Sequence, residues 1–254
     1  MIIAQISDTH ISIGTPDAKQ KISDFEAVIS DISYLAPAPD VIIHTGDITD
    51  NGRQEEYEKS IEILSKTNVP FYGMVGNKDN RILMPKTFQP EEYFSSPSNF
   101  VDYSIDEFPV KLIVLDTLCS DNNKGDFCEK RTERFQKMVM SEASKPLAIF
   151  MHHPPCEIKV GPEAFHFSCL DTMSNLRKTI IQSQRVIAIF CGHVHRSTSG
   201  TVGKIPVTVM SAVATTLRKG KYPQHMEKRP TYKLHRFDNF WGGFVTETRI
   251  AGGL

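Results

Sequence analysis

"RVIAIFCGHVHR", Arg185–Arg196, decides the fold of this chain. Six residues, Val186 to Cys191, are apolar without a break. That is the pattern of a strand covered on both faces, not of a half-exposed strand that alternates. A glycine then ends the run, and two imidazoles follow at His193 and His195. Open α/β sheets gather ligand groups at the carboxyl ends of their strands. The stretch therefore predicts a buried strand feeding a site.

The same grammar recurs outward in both directions. "IIAQIS", "DVIIHTGD", "VPFYGMVGN", "VKLIVLDT", "PLAIFMHH" and "IPVTVMSA" all read as largely buried strands. Helical patterns lie between several of them. "SDFEAVISDISYLA" offers an N-cap at Ser23 and apolar residues at Phe25, Val28, Ile29 and Ile32. "RQEEYEKSIEILSKT" places Tyr57, Ile61 and Leu64 on one face, and "RTERFQKMVMSEA" and "DTMSNLRKTIIQS" are similar. Strands alternating with helices predict a layered α/β fold. The end differs: "TYKLHRFDNFWGGFVTETRI" reads as an antiparallel hairpin, turning at Gly242 and Gly243, that closes a sheet edge. No repeat or long linker interrupts the chain, so residues 1–254 are expected to form one domain. Met84–Asp106 and Cys156–Ser168 read as irregular surface segments, the second as a rim to the site.

Composition narrows the function. The chain has 254 residues, 29 basic and 30 acidic, with a formal net charge of −1. That balance shows no sign of a sequence-independent binder of nucleic-acid polymers and leaves room for a local basic pocket, so no nucleic-acid polymer is expected as a partner. The five cysteines are odd in number and form no CxxC pair, which fits reduced thiols in a cytoplasmic protein. "MIIAQISDTH" lacks the basic and apolar regions of a signal peptide. No stretch reaches the ~20 apolar residues of a membrane span. A soluble cytoplasmic protein is expected, with oligomeric state left open.

The polar residues of interest all follow strands. They are Asp8 and His10, Asp47, Asn77, His152 and His153, and His193 and His195. Imidazole and carboxylate suit zinc, iron and manganese. Two ions ~3.5–4 Å apart clamp the attacking and leaving oxygens of an in-line displacement. Such a pair needs about seven first ligands with one shared, and seven candidates are present. Gly46, Gly76 and Gly192 precede ligands at tight turns. Any one of these residues alone is more often a core histidine or a turn former. Their order along one chain carries the inference.

"DTH", "GD", "GN", "HHPP" and "GHVH" in this order resemble the calcineurin-like metallophosphoesterases. "ISDTHI", "GDITD" and "MHHPP…CGHVHR" look closer to the bacterial class III cyclic-nucleotide phosphodiesterases and glycerophosphodiesterases. The resemblance spans roughly Met1 to Ser211. It implies a four-layer α-β-β-α sandwich with two divalent or mixed-valence ions, manganese, iron or zinc. Carried over by motif, Asp8, His10 and His195 hold one ion, Asn77, His152 and His193 the other, and Asp47 bridges them. His153 then lies behind the ligands, to orient one of them or simply to pack in the core. The implied substrate is a small phosphodiester, cyclic nucleotide or glycerophosphodiester, attacked in line by hydroxide that the ions acidify.

One position departs from the family. A histidine usually follows the glycine–asparagine pair, and here Lys78 stands there while Asp79, expected with Lys78 to be catalytic and able to orient a neighbour, is kept. Lys78 has three readings: a solvated surface lysine, a fixed cation on the phosphate, or a general acid. Fixed charge needs no tuning of acidity and is preferred. The alternatives at the level of function are a phosphomonoesterase and a silent phosphate-binding module. Arg196 is either a phosphate contact or an ordinary salt bridge. His44 reads as packing, Asp116 as a turn cap, His166 as a rim residue, and Leu217–His225 as a basic loop beside the site.

Overall fold

The computed structural model describes residues 1–88, 100–141 and 144–252. Its first sheet has five strands in the order β11-β10-β1-β2-β3, comprising β1 (Ile2–Ile6), β2 (Val41–His44), β3 (Phe71–Gly73), β10 (Thr231–Asp238) and β11 (Gly243–Ile250). The second has six in the order β4-β5-β6-β7-β9-β8. These are β4 (Tyr103–Ile105), β5 (Lys111–Leu115), β6 (Leu147–Met151), β7 (Val186–Cys191), β8 (Thr198–Val202) and β9 (Ile205–Val209). Helices α1 (Ala18–Ser33) and α2 (Gln54–Leu64) cover the first sheet; α4 (Glu129–Met140) and α5 (Leu170–Gln182) cover the second. A short helix α3 (Leu83–Phe88) precedes β4.

Alternation along β5 shows the layering. Leu112 and Val114 join the core shared with the first sheet and α1, whereas Ile113 and Leu115 pack with Phe135 of α4 and Leu176 and Ile180 of α5. β6 splits likewise, Ala148 and Phe150 to one side and Ile149 and Met151 to the other. A strand sandwiched this way is apolar along nearly its whole length, which is why these runs show no alternation in sequence. The result is the four-layer α-β-β-α sandwich.

The parallel strands position the site. β1, β2 and β3 run parallel to one another, as do β5, β6, β7 and β9, so the loops after β1, β2, β3, β6 and β7 gather at strand carboxyl ends. The C-terminal hairpin forms as expected: β10 pairs antiparallel with β1, and β11 takes the edge.

Two local expectations are corrected, and one strand was not foreseen. Helix α1 begins at Ala18 with Asp17 as N-cap, and Ser23 is exposed within it. Its first turns bury Lys21 and Asp24, and charges on the inward face hide the helical period. Met84–Asp106 carries α3 and β4 at its two ends, with residues 89–99 outside the described part. Strand β8, "TSGTV", is an edge strand, mostly polar and part-exposed, so no apolar run marks it.

Candidate metal centre

Five of the residues singled out in the sequence hold backbone angles that side chains disfavour. Asp8, His10, Asp47, His193 and His195 have φ of 53°, 46°, 51°, 73° and 57°. Non-glycine residues in this region are uncommon and strained, and surrounding contacts must hold them there. Asp8 N–H donates to Gly46 O at 3.0 Å and His10 N–H to Asp47 O at 3.0 Å, which ties the β1 and β2 loops together. His193 N–H donates to the Asp8 carboxylate at 3.1 Å, which ties β7 to β1 across the two sheets.

Two glycines permit this approach. A Cβ at Gly76 would lie 2.3 Å from Asp47 N, and one at Gly192 2.0 Å from Ser7 Oγ. Their role is closeness between loops rather than a left-handed backbone.

The side chains form two adjoining groups. Asp8, His10, Asp47 and His195 bring ligand-type atoms within 4.8 Å of one another. His195 Nε2 is 3.2 Å from Asp8 Oδ1, and His10 Nε2 is 3.4 Å from Asp47 Oδ2. In the second group, Asn77 Oδ1 lies 3.2 Å from His152 Nε2 and 2.9 Å from His193 Nδ1. The other Asp47 oxygen, Oδ1, stands 3.5 Å from His152 Nε2. Asp47 therefore turns one oxygen to each group.

The hydrogen bonds behind these rings test whether the groups suit cations. His10 Nδ1–H donates to Asp50 Oδ1 at 3.0 Å, and His195 Nδ1–H to Leu217 O at 3.1 Å. Each partner only accepts, so each Nδ1 carries the proton. In the neutral rings both Nε2 atoms are bare, yet they face each other at 3.2 Å. His152 repeats the pattern: Nδ1–H donates to Thr45 O at 2.8 Å, and its other nitrogen faces the oxygens of Asn77 and Asp47. Acceptors converging on acceptors call for positive charge between them. Protons respond accordingly. Burial opposes charge on His152, yet the Asp47 carboxylate beside it lifts it to about 9. Burial likewise opposes charge on Asp47, and His152 nonetheless holds that carboxyl far below its ordinary value. The oxygen and imidazole donor set, with no thiolate in either group, fits two divalent ions.

The residues around the groups are arranged to hold them. Asp79 is buried and faces backbone, accepting from Gly76 N at 2.9 Å, Ile48 N at 3.1 Å and Thr49 N at 3.2 Å. Thr49 Oγ1 and Tyr57 OH donate to it as well, at 3.2 and 3.0 Å. It thus clamps the loop of Asp47 to the loop of Asn77. His153 sits 4.4 Å from the His193 ring, with both its nitrogens engaged: Nδ1 accepts from Thr117 Oγ1 at 2.8 Å, and Nε2–H donates to Asn123 O at 3.3 Å. One of its nitrogens lies within 4.8 Å of ligand-type atoms of His152 and His193, but Thr117 and Asn123 already occupy both of its nitrogens. Lys78 is exposed, and its N–H donates to Asp47 Oδ1 at 2.8 Å.

Arg196 is exposed and lies over Gly220, where a Cβ would come within 3.2 Å of its Nε. The basic loop does reach the site, since Lys219 N–H donates to His195 O at 2.9 Å. His166 is nearly buried, edge-on to His193 at 5.0 Å. His44 accepts or donates at Thr9 Oγ1 (2.8 Å) within the core. Asp116 caps Leu118 N at 2.9 Å as expected, and also takes a two-pronged ion pair from Arg81 at 2.7 and 2.9 Å. A cavity of about 370 Å³ opens beside His193, lined by Asn122, Lys124, Glu163, His166 and Lys219.

Sequence reading missed Asp50, Tyr57 as a site residue, and Lys21. Asp50 stands in "GDITD", three residues past Asp47, and that spacing was the one signal available. Tyr57 looked like an apolar helix residue, and Lys21 drew no reading at all.

A two-sheet sandwich with histidines, aspartates and an asparagine at its strand ends defines the class of metal-dependent phosphoesterases. The chain belongs to the calcineurin-like phosphoesterase family, whose model matches residues 1–197. That family is built on a dinuclear metal centre. The chain is 33% identical to a probable glycerophosphodiester phosphodiesterase GpdQ of Arcobacter nitrofigilis, over 99% of this chain and 94% of that one. It is 27% identical to a probable cyclic nucleotide phosphodiesterase of Coxiella burnetii, over 91% and 90% of the two chains. A dimetal phosphatase from Danio rerio shares the fold, with a TM-score of 0.71 at 11% identity, over 99% of this chain and 96% of that one. Among the described residues, no helix is long and apolar enough to cross a membrane.

Proposed function

We propose that the protein is a dinuclear-metal phosphodiesterase acting on small diesters, with glycerophosphodiesters ahead of cyclic nucleotides. The observation that carries this is Asp47, whose two oxygens stand 3.4 Å from His10 Nε2 and 3.5 Å from His152 Nε2, in two different groups. A carboxylate placed so would be suited to bridge two ions. Asp8, His10 and His195 would hold one ion and Asn77, His152 and His193 the other, with manganese, iron or zinc suited to these donors. Bound ions supply Lewis acidity toward water and toward phosphoryl oxygens.

The chain's own residues do the rest. Lys78, next to Asn77 and tethered by its N–H to Asp47, offers an exposed cation to the phosphate at the mouth of the site. Asp79 and Tyr57 hold the two ligand loops in register, and His153 fixes the His193 ring from behind. The cavity beside His193 has room for an alcohol substituent. Identity with the Arcobacter nitrofigilis relative, the higher of the two reported, supports the order of substrates.

Kinetics on manganese-loaded protein tests the reading. kcat/KM should be higher for glycerophosphodiesters than for matched monoesters by about tenfold, a difference of ~1.4 kcal/mol. A consistent preference for monoesters would overturn it in favour of a phosphomonoesterase. Binding of diesters without turnover would make the protein a silent binder.

Chelation gives a second check. At a free ion concentration of 100 times Kd, binding stabilises the folded state by ~2.7 kcal/mol. For a chain of this size that corresponds to roughly 5–10 °C in Tm. Calorimetry should show Tm falling by that amount with chelator and returning when manganese is restored. An unchanged Tm would contradict ion binding in the folded protein.

A further inference from the structure

Helix α1 buries two charged residues one turn apart, Lys21 and Asp24, each 2% exposed. A buried charge is costly unless paired, so its partners reveal what it is for. Lys21 Nζ donates to Asp50 Oδ2 at 3.1 Å and pairs with Asp17 Oδ2 at 3.0 Å. The other Asp50 oxygen accepts the Nδ1–H of His10 at 3.0 Å. Asp24 Oδ2 accepts from Thr215 N at 2.7 Å and from Thr215 Oγ1 at 2.6 Å. Gln20 Nε2 steadies its other oxygen at 2.8 Å. Thr215 opens the single turn Thr215–Leu217, and Leu217 O accepts the Nδ1–H of His195 at 3.1 Å.

Two relays thus start on one helix and end on the Nδ1 atoms of two imidazoles. Those are the rings whose Nε2 atoms face each other at 3.2 Å. Each relay fixes a tautomer and a ring plane, the property by which groups behind a ligand set ion affinity. The other group is held differently: His152 by Thr45 O, and the His193 ring by its neighbours His153 and His166. No hydrogen bond joins α1 to those side chains among the described residues.

We propose that α1, through Lys21 and Asp24, is the positioning element of one ion site only, the one formed by Asp8, His10, Asp47 and His195. This rests on the assignment of those four residues as ion ligands. Lys21 keeps Asp50 aimed at His10, and Asp24 keeps the Leu217 carbonyl aimed at His195. The centre therefore has one site that depends on α1 and one that does not.

The test counts and titrates ions. Chelator-treated parent, Lys21→Met, Asp24→Ala and Thr215→Val proteins are titrated with manganese(II), with free ion followed by electron paramagnetic resonance and folding by circular dichroism. Thr215→Val removes one donated bond at a part-exposed position, so it is informative if a buried-charge variant fails to fold. The parent should take up two ions. Each variant should lose about tenfold in affinity at one site and keep the other unchanged. Lys21→Arg, which restores a cation, should recover the weakened site. Equal weakening of both sites, or no weakening in folded variants, overturns the inference. A parent that takes up no ion at all overturns the ligand assignment itself, a result distinct from either.

Discussion

Replacing Asp47 with alanine is expected to remove most of both ions and to lower kcat/KM for a diester by at least ~10³-fold, a barrier increase of about 4 kcal/mol. No other single side chain should do as much. Asp47 stands between the two groups, one oxygen toward His10 and one toward His152. It also accepts the Lys78 N–H at 2.8 Å, so its loss frees the loop that carries Asn77 and Lys78. Without it, His152 and His10 lose the carboxylate that stands 3.5 and 3.4 Å from their Nε2 atoms. Asp47→Asn separates charge from shape: it keeps the size but halves the carboxylate donors, and should retain more metal than alanine. Elemental analysis beside steady-state kinetics gives both readouts. An alanine variant with full occupancy and parental activity would show that Asp47 bridges nothing.

Much of this candidate site was legible in the sequence because its residues stand at a position that physics marks. A doubly covered strand is an unbroken apolar run, and polar residues directly after such runs are conspicuous. Asp8, Asp47, Asn77, His152 and His193 all announce themselves this way. Other features carry no such mark. His152 and His153 are adjacent and chemically identical in the sequence. Three-dimensional hydrogen bonds separate them, since both nitrogens of His153 are engaged by Thr117 and Asn123 while one nitrogen of His152 faces Asn77 and Asp47. Lys21 and Asp24 were hidden for a different reason. Charged residues at the start of an amphipathic helix are ordinarily solvated, and their burial follows from partners 29 and 191 residues away. Long-range pairing of that kind leaves no local pattern. Strand β4, three residues long and paired with β5 alone among the described residues, was too short for a period to show.

The lysine in "GNKDN" carries the last test. Lys78 follows Asn77 directly, and its backbone is pinned to the carboxylate between the two groups. Its side chain is exposed, and among the described residues no carboxylate pairs with it. A cation one residue beyond Asn77, on a backbone held against Asp47, is well placed to meet a phosphate and the charge that develops on it. Lys78→Ala is therefore expected to lower kcat/KM by ~10²-fold on alkyl and aryl diesters alike, the scale of losing one such donor. Lys78→His should behave differently. An imidazolium gives up its proton more readily than an ammonium does, and an alkoxide leaving group needs a proton where a nitrophenolate does not. Histidine should then raise alkyl-diester turnover relative to aryl-diester turnover by about tenfold, which asks only ~1.4 kcal/mol of one proton donor. kcat/KM for the three proteins on one alkyl and one aryl diester, across neutral pH, decides the matter. If the alanine variant matches the parent on both substrates, Lys78 is a solvated surface residue. If alanine slows both but histidine leaves the alkyl-to-aryl ratio unchanged, the residue acts by charge alone, and proton delivery to the leaving group must come from elsewhere in the site.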